Sequence, residues 1–191
     1  ASDGKHHYSA LFVQASSMSN PTIVISGSGL WTPPNSISNE ELVTAYNGWA
    51  DQFNAQNAAA IEAGEIAAKP HSSAEFIEKA SGIKSRYVYA KEGICDINRM
   101  TPSIPPRADE ELSHQAEMAL AAAKDALKAA NKKPEDIDAV IVSCAYTQRS
   151  YPAIAIEVQA ALGIQGFGFD MLVACSAATF GLHRAYDSVA A

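Results

Sequence analysis

Two kinds of hydrophobic pattern alternate along the chain. Continuous apolar runs of six to nine residues read as strands, and apolar positions three and four apart read as helices. "TIVISGSGLWTPP" (22–34) begins β-branched and ends in Gly and Pro, which predicts a strand followed by a turn. Ser38 precedes Glu41 by a capping-box spacing, so a helix should start near Asn39. Residues 54–73 are Ala-rich and end in Lys69-Pro70; they read as a helical excursion over the surface. "SSAEFIEKASGI" (72–83) predicts a short helix stopped by Gly82. "KSRYVYA" (84–90) predicts a strand or extended arm, and 91–110, with three prolines in its second half, a loop.

The clearest helical period spans 110–131. Leu112, Ala116, Leu120, Ala123, Leu127 and Ala130 recur at offsets of three and four and define one apolar face. "AVIVSCAY" (139–146) and "FGFDMLVAC" (167–175) are continuous apolar runs, the signature of strands buried on both faces. Between them, 151–163 reads as a helix with Pro152 in its first turn and Gly163 past its end. A last helix, 176–191, should be lined by Phe180, Leu182 and Val189. This order predicts an α/β fold, a parallel sheet between helices.

Composition narrows the function. The net charge of −7 with scattered Lys and Arg argues against nucleic acid and against an anionic membrane surface. No apolar run approaches the roughly 20 residues of a membrane span. Residues 1–17, with His6-His7, read as a leader left by an expression vector; the remainder, 18–191, reads as one domain. The three cysteines lack metal-ligand or disulfide spacing, so no metal site is expected and a reducing cytoplasm fits best.

Cys175 is the candidate for chemistry. It follows a buried strand and opens a helix, at the strand end where α/β sheets place active sites. Helix N–H groups there favour a thiolate and can hold a developing oxyanion. Against this stands burial, because free cysteine commonly serves as a small core residue. On placement alone both readings stay open. Cys144 lies inside its strand and reads as core; Cys95 lies in a loop with nothing near it to activate it.

The ordered set Gly82-Ile83, Tyr151-Pro152, Leu162-Gly163-Ile164 and Phe169-Asp170 up to Cys175 decides between them. Together with "ISGSGLWTPPNSISNEELV" and "SAEFIEKASGIKSRYV", it resembles the amino-terminal half of β-ketoacyl-acyl-carrier-protein synthase III, from about residue 22 to the end. The resemblance implies a thiolase-like fold, with this chain as its first βαβαβ half in a mostly parallel mixed sheet, and a cytoplasmic homodimer. It implies that Cys175 takes an acyl group from acyl-CoA, which malonyl-acyl-carrier protein then extends by two carbons. Phosphopantetheine is the handle of both substrates, and no cofactor or metal is needed.

The resemblance also carries over two substrate contacts. Phe76 stands where the family has a tryptophan that stacks on the CoA adenine, and it could equally anchor a short helix. Tyr151 matches an aromatic that walls the partner subunit's acyl pocket. A family arginine that grips CoA phosphates is replaced by Ala80, with Lys79 and Lys84 nearby. The family's His/Asn pair, which serves the malonyl carbanion, lies in the second half of the fold. Four of the five histidines precede the nucleophile; His183 is eight residues beyond it, about 12 Å along one helix. His183 and His114 therefore read as ordinary helix positions, and this stretch is expected to hold the acylation half of the site only. Two alternatives use the same residues: a thiolase or hydroxymethylglutaryl-CoA synthase type of acyltransferase, and a non-catalytic partner subunit.

Overall fold

A computed structural model describes residues 8–15 and 22–191. In chain order the elements are β1 (Tyr8–Ala15), β2 (Ile23–Trp31), β3 (Asn35–Ser38), α1 (Asn39–Gln56), α2 (Ala58–Glu62), α3 (Ala74–Ser81), β4 (Ser85–Val88), α4 (His114–Ala130), β5 (Ala139–Cys144), α5 (Ile154–Leu162), β6 (Phe167–Leu172) and α6 (Ala177–Ala190). They group into two compact units. Residues 32–106 form one; the other joins β1 and β2 to residues 107–191.

In the first unit β3 pairs antiparallel with β4, Asn35 opposite Val88 and Ser38 opposite Ser85. The capping box forms as its spacing predicts. Ser38 Oγ accepts from the Glu41 N–H at 3.2 Å, and the Ser38 N–H donates to Glu41 Oε2 at 2.9 Å. Lys91 Nζ lies 2.5 Å from Glu41 Oε1, and this contact, more than any other, holds the Glu41 carboxyl below the usual carboxylate range. Asn39, 2% exposed, closes the first turn by donating to Ile83 O at 2.6 Å and accepting from Arg86 Nη2 at 3.1 Å.

The excursion at 54–73 is strapped down by α1. Asn47 and Asn54, two turns apart on that helix, each exchange a pair of hydrogen bonds with the returning chain. Asn47 pairs with Ser72 at 3.0 and 2.9 Å, and Asn54 with Lys69 at 2.9 and 2.8 Å. Each amide thus presents a donor and an acceptor as a neighbouring strand would.

In the second unit β1 pairs antiparallel with β2, with a bulge between Phe12 and Val13. Residues 8–15, read from the sequence as part of a leader, are thus paired into the sheet. Alternate residues of a strand share a face, so Gly27 and Gly29 both turn toward α4. A Cβ on Gly29 would stand 2.0 Å from Ala122 O and 2.4 Å from Ala126 N; one on Gly27 would stand 2.5 Å from Ala126 O. The "GSG" of β2 is therefore a bed for an alanine-rich helix.

α4 corrects the expected single apolar face. The helix starts at His114, capped by Ser113, and its buried residues are Ala116, Met118, Ala122 and Ala126. It is covered on two sides. Ala122 and Ala126 meet β2, while Ala116, Ala119 and Ala123 join Ile154 and Val158 of α5 and Val140 and Val142 of β5 in the core cluster. Leu120 and Leu127 are only half-buried.

β5 and β6 pair in parallel, Ala139 opposite Phe167 through Cys144 opposite Leu172. Val140, Val142 and Cys144 of β5 face the α5 side, and Ser143 faces Gly181 of α6, whose added Cβ would lie 3.1 Å from Ser143 Cβ. Helices thus cover opposite faces of this pair, as predicted. β5 is half-buried throughout rather than fully buried, and β6 is half-buried with exposed ends, because the ladder is only two strands wide among the described residues. The α6 expectation fails in its facing: Ala177, Gly181, Ala185 and Val189 turn inward, while Phe180 and Leu182 are exposed. Gly181 lies closely over Ser143 on this inward stripe, where an added Cβ at 3.1 Å would ask the neighbour to give by a few tenths of an ångström.

Candidate active site

Cys175 sits in a tight turn between β6 and α6. The strand ends at Leu172, a single 3₁₀ turn covers Ala174–Ser176, and the 14-residue α6 follows. The Val173 N–H donates to Cys144 O at 3.1 Å and so carries the strand pairing to the edge of the turn. Ala174 then adopts φ +46°, a left-handed conformation that costs a non-glycine residue about 1–2 kcal/mol. This reverses the chain within one residue and leaves Cys175 exposed, as a free thiol, at the head of the helix. Ser176, the N-cap, makes no side-chain hydrogen bond to α6, so the cap leaves first-turn N–H groups available. The sulfur is thus solvent-accessible and close to the positive end of a helix dipole.

The other cysteines differ. Cys144 is half-buried on β5 and donates to Tyr146 O at 3.3 Å. Burial pushes its thiol above the ordinary range, and the negative charge of Asp170 pushes it further in the same direction. Cys95 is exposed in the 91–110 loop.

Tyr151 lies in the loop from β5 to α5 and is 86% exposed. The helix it was expected to open begins later, at Ile154, so Pro152 precedes the helix. Ala153, the N-cap, has no side-chain acceptor to offer. Asp170 of β6 supplies it instead: its Oδ2 accepts from the Ile154 N–H and its Oδ1 from the Ala155 N–H, both at 2.8 Å. A capping carboxylate 16 residues away has no local sequence signature, and in the sequence the Phe169-Asp170 pair stands out only through the family resemblance. A second long-range carboxylate is equally silent in the sequence. Glu157, 7% exposed on α5, accepts from the Ser113 N–H and from Ser113 Oγ, both at 2.7 Å, and ties α5 to the start of α4.

Phe76 belongs to the first unit. It is 65% exposed on α3, whose N-cap Ser73 accepts from the Phe76 N–H at 3.1 Å. It lines an open groove of about 700 Å³ with Leu42 and Tyr46 of α1 and Pro70 and His71 of the strapped excursion. His71 Nε2 is 2.7 Å from Asp51 Oδ1 beside it. Lys84 Nζ pairs with Glu78 at 3.2 Å on the surface, and Lys79 and Ala80 are exposed. His183 is exposed, 3.3 Å from Asp187 one turn on, and His114 faces Gln148 at 3.0 Å. The structure brings neither histidine into a cluster of three or more metal-ligating side chains among the described residues.

Comparison with known proteins gives this geometry a family. Over 145 residues the chain is 56% identical to a β-ketodecanoyl-[acyl-carrier-protein] synthase of Pseudomonas aeruginosa, a match that covers 76% of this chain and 41% of the relative. It is 33% identical over 119 residues to a β-ketoacyl-[acyl-carrier-protein] synthase III of Granulibacter bethesdensis, covering 62% and 31%. The sequence and the fold are those of the β-ketoacyl-acyl-carrier-protein synthase III family. Among solved structures, a 3-oxoacyl-[acyl-carrier-protein] synthase III from Aquifex aeolicus superposes with TM-score 0.57 at 25% identity over 86% of this chain and 39% of that one. The priming β-ketosynthase of the R1128 polyketide pathway gives 0.58 at 24% identity over 93% and 37%, a likeness of fold. No family model matches the chain. The chain spans well under half the length of the curated relatives it matches. Synthase III proteins therefore share its thiolase-like α/β architecture, and on that frame Cys175 is an exposed thiol in the turn between β6 and α6.

Proposed function

We propose that the complete protein is a β-ketoacyl-acyl-carrier-protein synthase III primed by acyl-CoA, with Cys175 as its nucleophile. The observation that carries this is the Cys175 turn: an exposed thiol at the head of a 14-residue helix, thrust outward by the left-handed Ala174. The thiolate attacks the acyl-CoA carbonyl, the new C–S bond forms, the bond to CoA breaks, and CoA leaves as its thiol. Available N–H groups of α6 would carry the oxyanion of that step. Malonyl-acyl-carrier protein then loses CO₂, and the electron pair released attacks the enzyme-bound acyl carbonyl. The C–S bond to Cys175 breaks, the thiolate returns, and a 3-oxoacyl-carrier protein departs.

The family's His/Asn pair, which steadies the carbanion, is assigned to no residue of this chain; we place it in the remainder of the longer protein. Phe76, exposed in its groove, is the candidate contact for the CoA adenine, and Tyr151 the candidate wall of a partner's acyl pocket in a cytoplasmic homodimer. With Lys84 paired to Glu78 and Ala80 neutral, phosphate grip at the family position is weak. The name of the 56% identical relative refers to a ten-carbon product, which two-carbon extension makes from an eight-carbon primer. Octanoyl-CoA is therefore the primer proposed here.

Intact-mass spectrometry of the full-length protein mixed with octanoyl-CoA tests the reading. One octanoyl mass should appear on Cys175, and none on Cys175→Ala. Absence of any acyl adduct, tried also with acetyl- and butyryl-CoA, refutes it. An adduct that extends with acetyl-CoA but not with malonyl-carrier protein would instead make the enzyme a thiolase-type acyltransferase.

A further inference from the structure

The loop that carries Tyr151 is held far more firmly than its exposure suggests. On one side α4 grips it. Gln115 Nε2 donates to Tyr146 O at 2.7 Å, the Gln148 N–H donates back to Gln115 Oε1 at 2.8 Å, and Gln148 Oε1 accepts from the His114 N–H at 2.8 Å. Arg149 spans outward, its Nη1 donating to Asp109 O and its Nη2 to Glu111 O, both at 3.0 Å. At the far end, Asp170 accepts from the Ile154 and Ala155 N–H groups at 2.8 Å each. Tyr151 stands between these clamps, 86% exposed. A large side chain left in solvent on a loop fixed at both ends has already lost much of the freedom that contact would otherwise cost.

Asp170 is the distinctive clamp. The others join the loop to α4 and the chain before it, whereas Asp170 sits on β6, five residues before Cys175 on the strand that ends in the nucleophile's turn. Its bidentate cap therefore links the Tyr151 loop and the Cys175 turn through one rigid strand. We propose that Asp170 is a positioning residue for acyl selection, fixing the Tyr151 loop to β6 and thereby where Tyr151 stands against the partner subunit's acyl pocket. This rests on the acylation reading above. It goes beyond it by naming a residue that touches no substrate and acts through the start of α5.

The test uses full-length protein and the variants Tyr151→Ala, Asp170→Asn, Gln148→Ala, and Tyr151→Ala with Asp170→Asn. Asparagine keeps the volume but turns one acceptor into an N–H₂ that faces an N–H. Acylation rates of Cys175 are measured by intact mass for octanoyl- and butyryl-CoA, with the iodoacetamide rate at Cys175 as a measure of the thiol alone. Asp170→Asn should cut the octanoyl-to-butyryl rate ratio about tenfold, the scale on which pockets separate chain lengths. Its iodoacetamide rate should stay within about twofold of wild type, since an unmoved thiolate reacts alike. The double variant should match Tyr151→Ala alone, because both changes disable one device. A wild-type ratio in folded Asp170→Asn, or effects that add in the double variant, overturns the proposal. If Asp170→Asn does not fold, Gln148→Ala, exposed and on the opposite clamp, must lower the ratio; an unchanged ratio there overturns it equally. Wild-type protein that takes up neither acyl group defeats the acylation reading itself and this proposal with it.

Discussion

Replacing Gly29 with alanine tests whether α4 lies directly on β2. The new Cβ would stand 2.0 Å from Ala122 O and 2.4 Å from Ala126 N, both main-chain atoms that cannot swing aside. Reaching ordinary contact at 3.4 Å requires α4 to retreat by 3.4 − 2.0, about 1.4 Å. A gap of 0.5–1 Å already forfeits about a quarter to a half of each dispersion contact along the seam. The retreat would also loosen Ala116 and Ala123 from the cluster they share with Ile154 and Val158. Overpacking of this kind costs about 3 kcal/mol or more. Gly64→Ala is the control: Gly64 has φ +73° with nothing within 4 Å of an added Cβ, so it carries backbone strain alone, about 1 kcal/mol. Urea and thermal unfolding of the full-length protein read the difference. For a cooperative unit of this size, about 3 kcal/mol corresponds to a midpoint lower by roughly 6–12 °C. A Gly29→Ala midpoint no lower than that of Gly64→Ala would show that the strand does not bear the helix and that the "GSG" has another reason.

Two further outcomes follow from named contacts. Glu157→Ala leaves the buried Ser113 N–H and hydroxyl without an acceptor and should cost about 3 kcal/mol in chemical denaturation. Glu157→Gln, whose amide keeps one acceptor while the Ser113 hydroxyl can turn to accept, should cost about 1 kcal/mol; equal costs would deny the pairing its role. Cys144 should react with iodoacetamide at pH 8.5 about tenfold more slowly than exposed Cys95, because burial and Asp170 keep its thiol protonated. The sign for stability is the same. The folded thiol holds its proton more tightly than the unfolded one, so this contribution is complete below the ordinary thiol range and is lost as pH rises through the folded value. Equal labelling of the two cysteines would refute it.

Much of the frame is readable along the chain because its causes are local. Ser38 and Glu41 are three residues apart and form the capping box wherever the helix goes. Gly82 and Gly163 take φ +74° and +76° at helix ends, a conformation that a glycine announces by itself. The apolar runs of β5 and β6 and the helix between them name a parallel unit, and the ordered motifs ending at Cys175 name the family. The strand-to-helix turn at Cys175 is likewise written in the change from an apolar run to small residues, whereas its exposure comes with the left-handed Ala174, which nothing in the sequence announces.

The pairings across the chain were decided only by the tertiary structure. Which side of α4 is buried depended on β2 and α5 arriving on two faces, and no periodicity within 110–131 encodes that. The inward stripe of α6 carries small residues, with Gly181 close over Ser143, rather than its large apolar Phe180 and Leu182. Asp170 caps a helix 16 residues earlier, and Glu157 reaches Ser113 across 44 residues. Sequence alone determined the helices and the β5, α5, β6, α6 order that ends at the thiol, because helix caps, turns and strand runs are set by neighbours within a few residues; β1 and β3, which exist through their partners β2 and β4, were not among its elements. The tertiary fold determined which carboxylate meets which N–H and which faces touch, because those energies depend on distances that exist only once the chain has closed on itself.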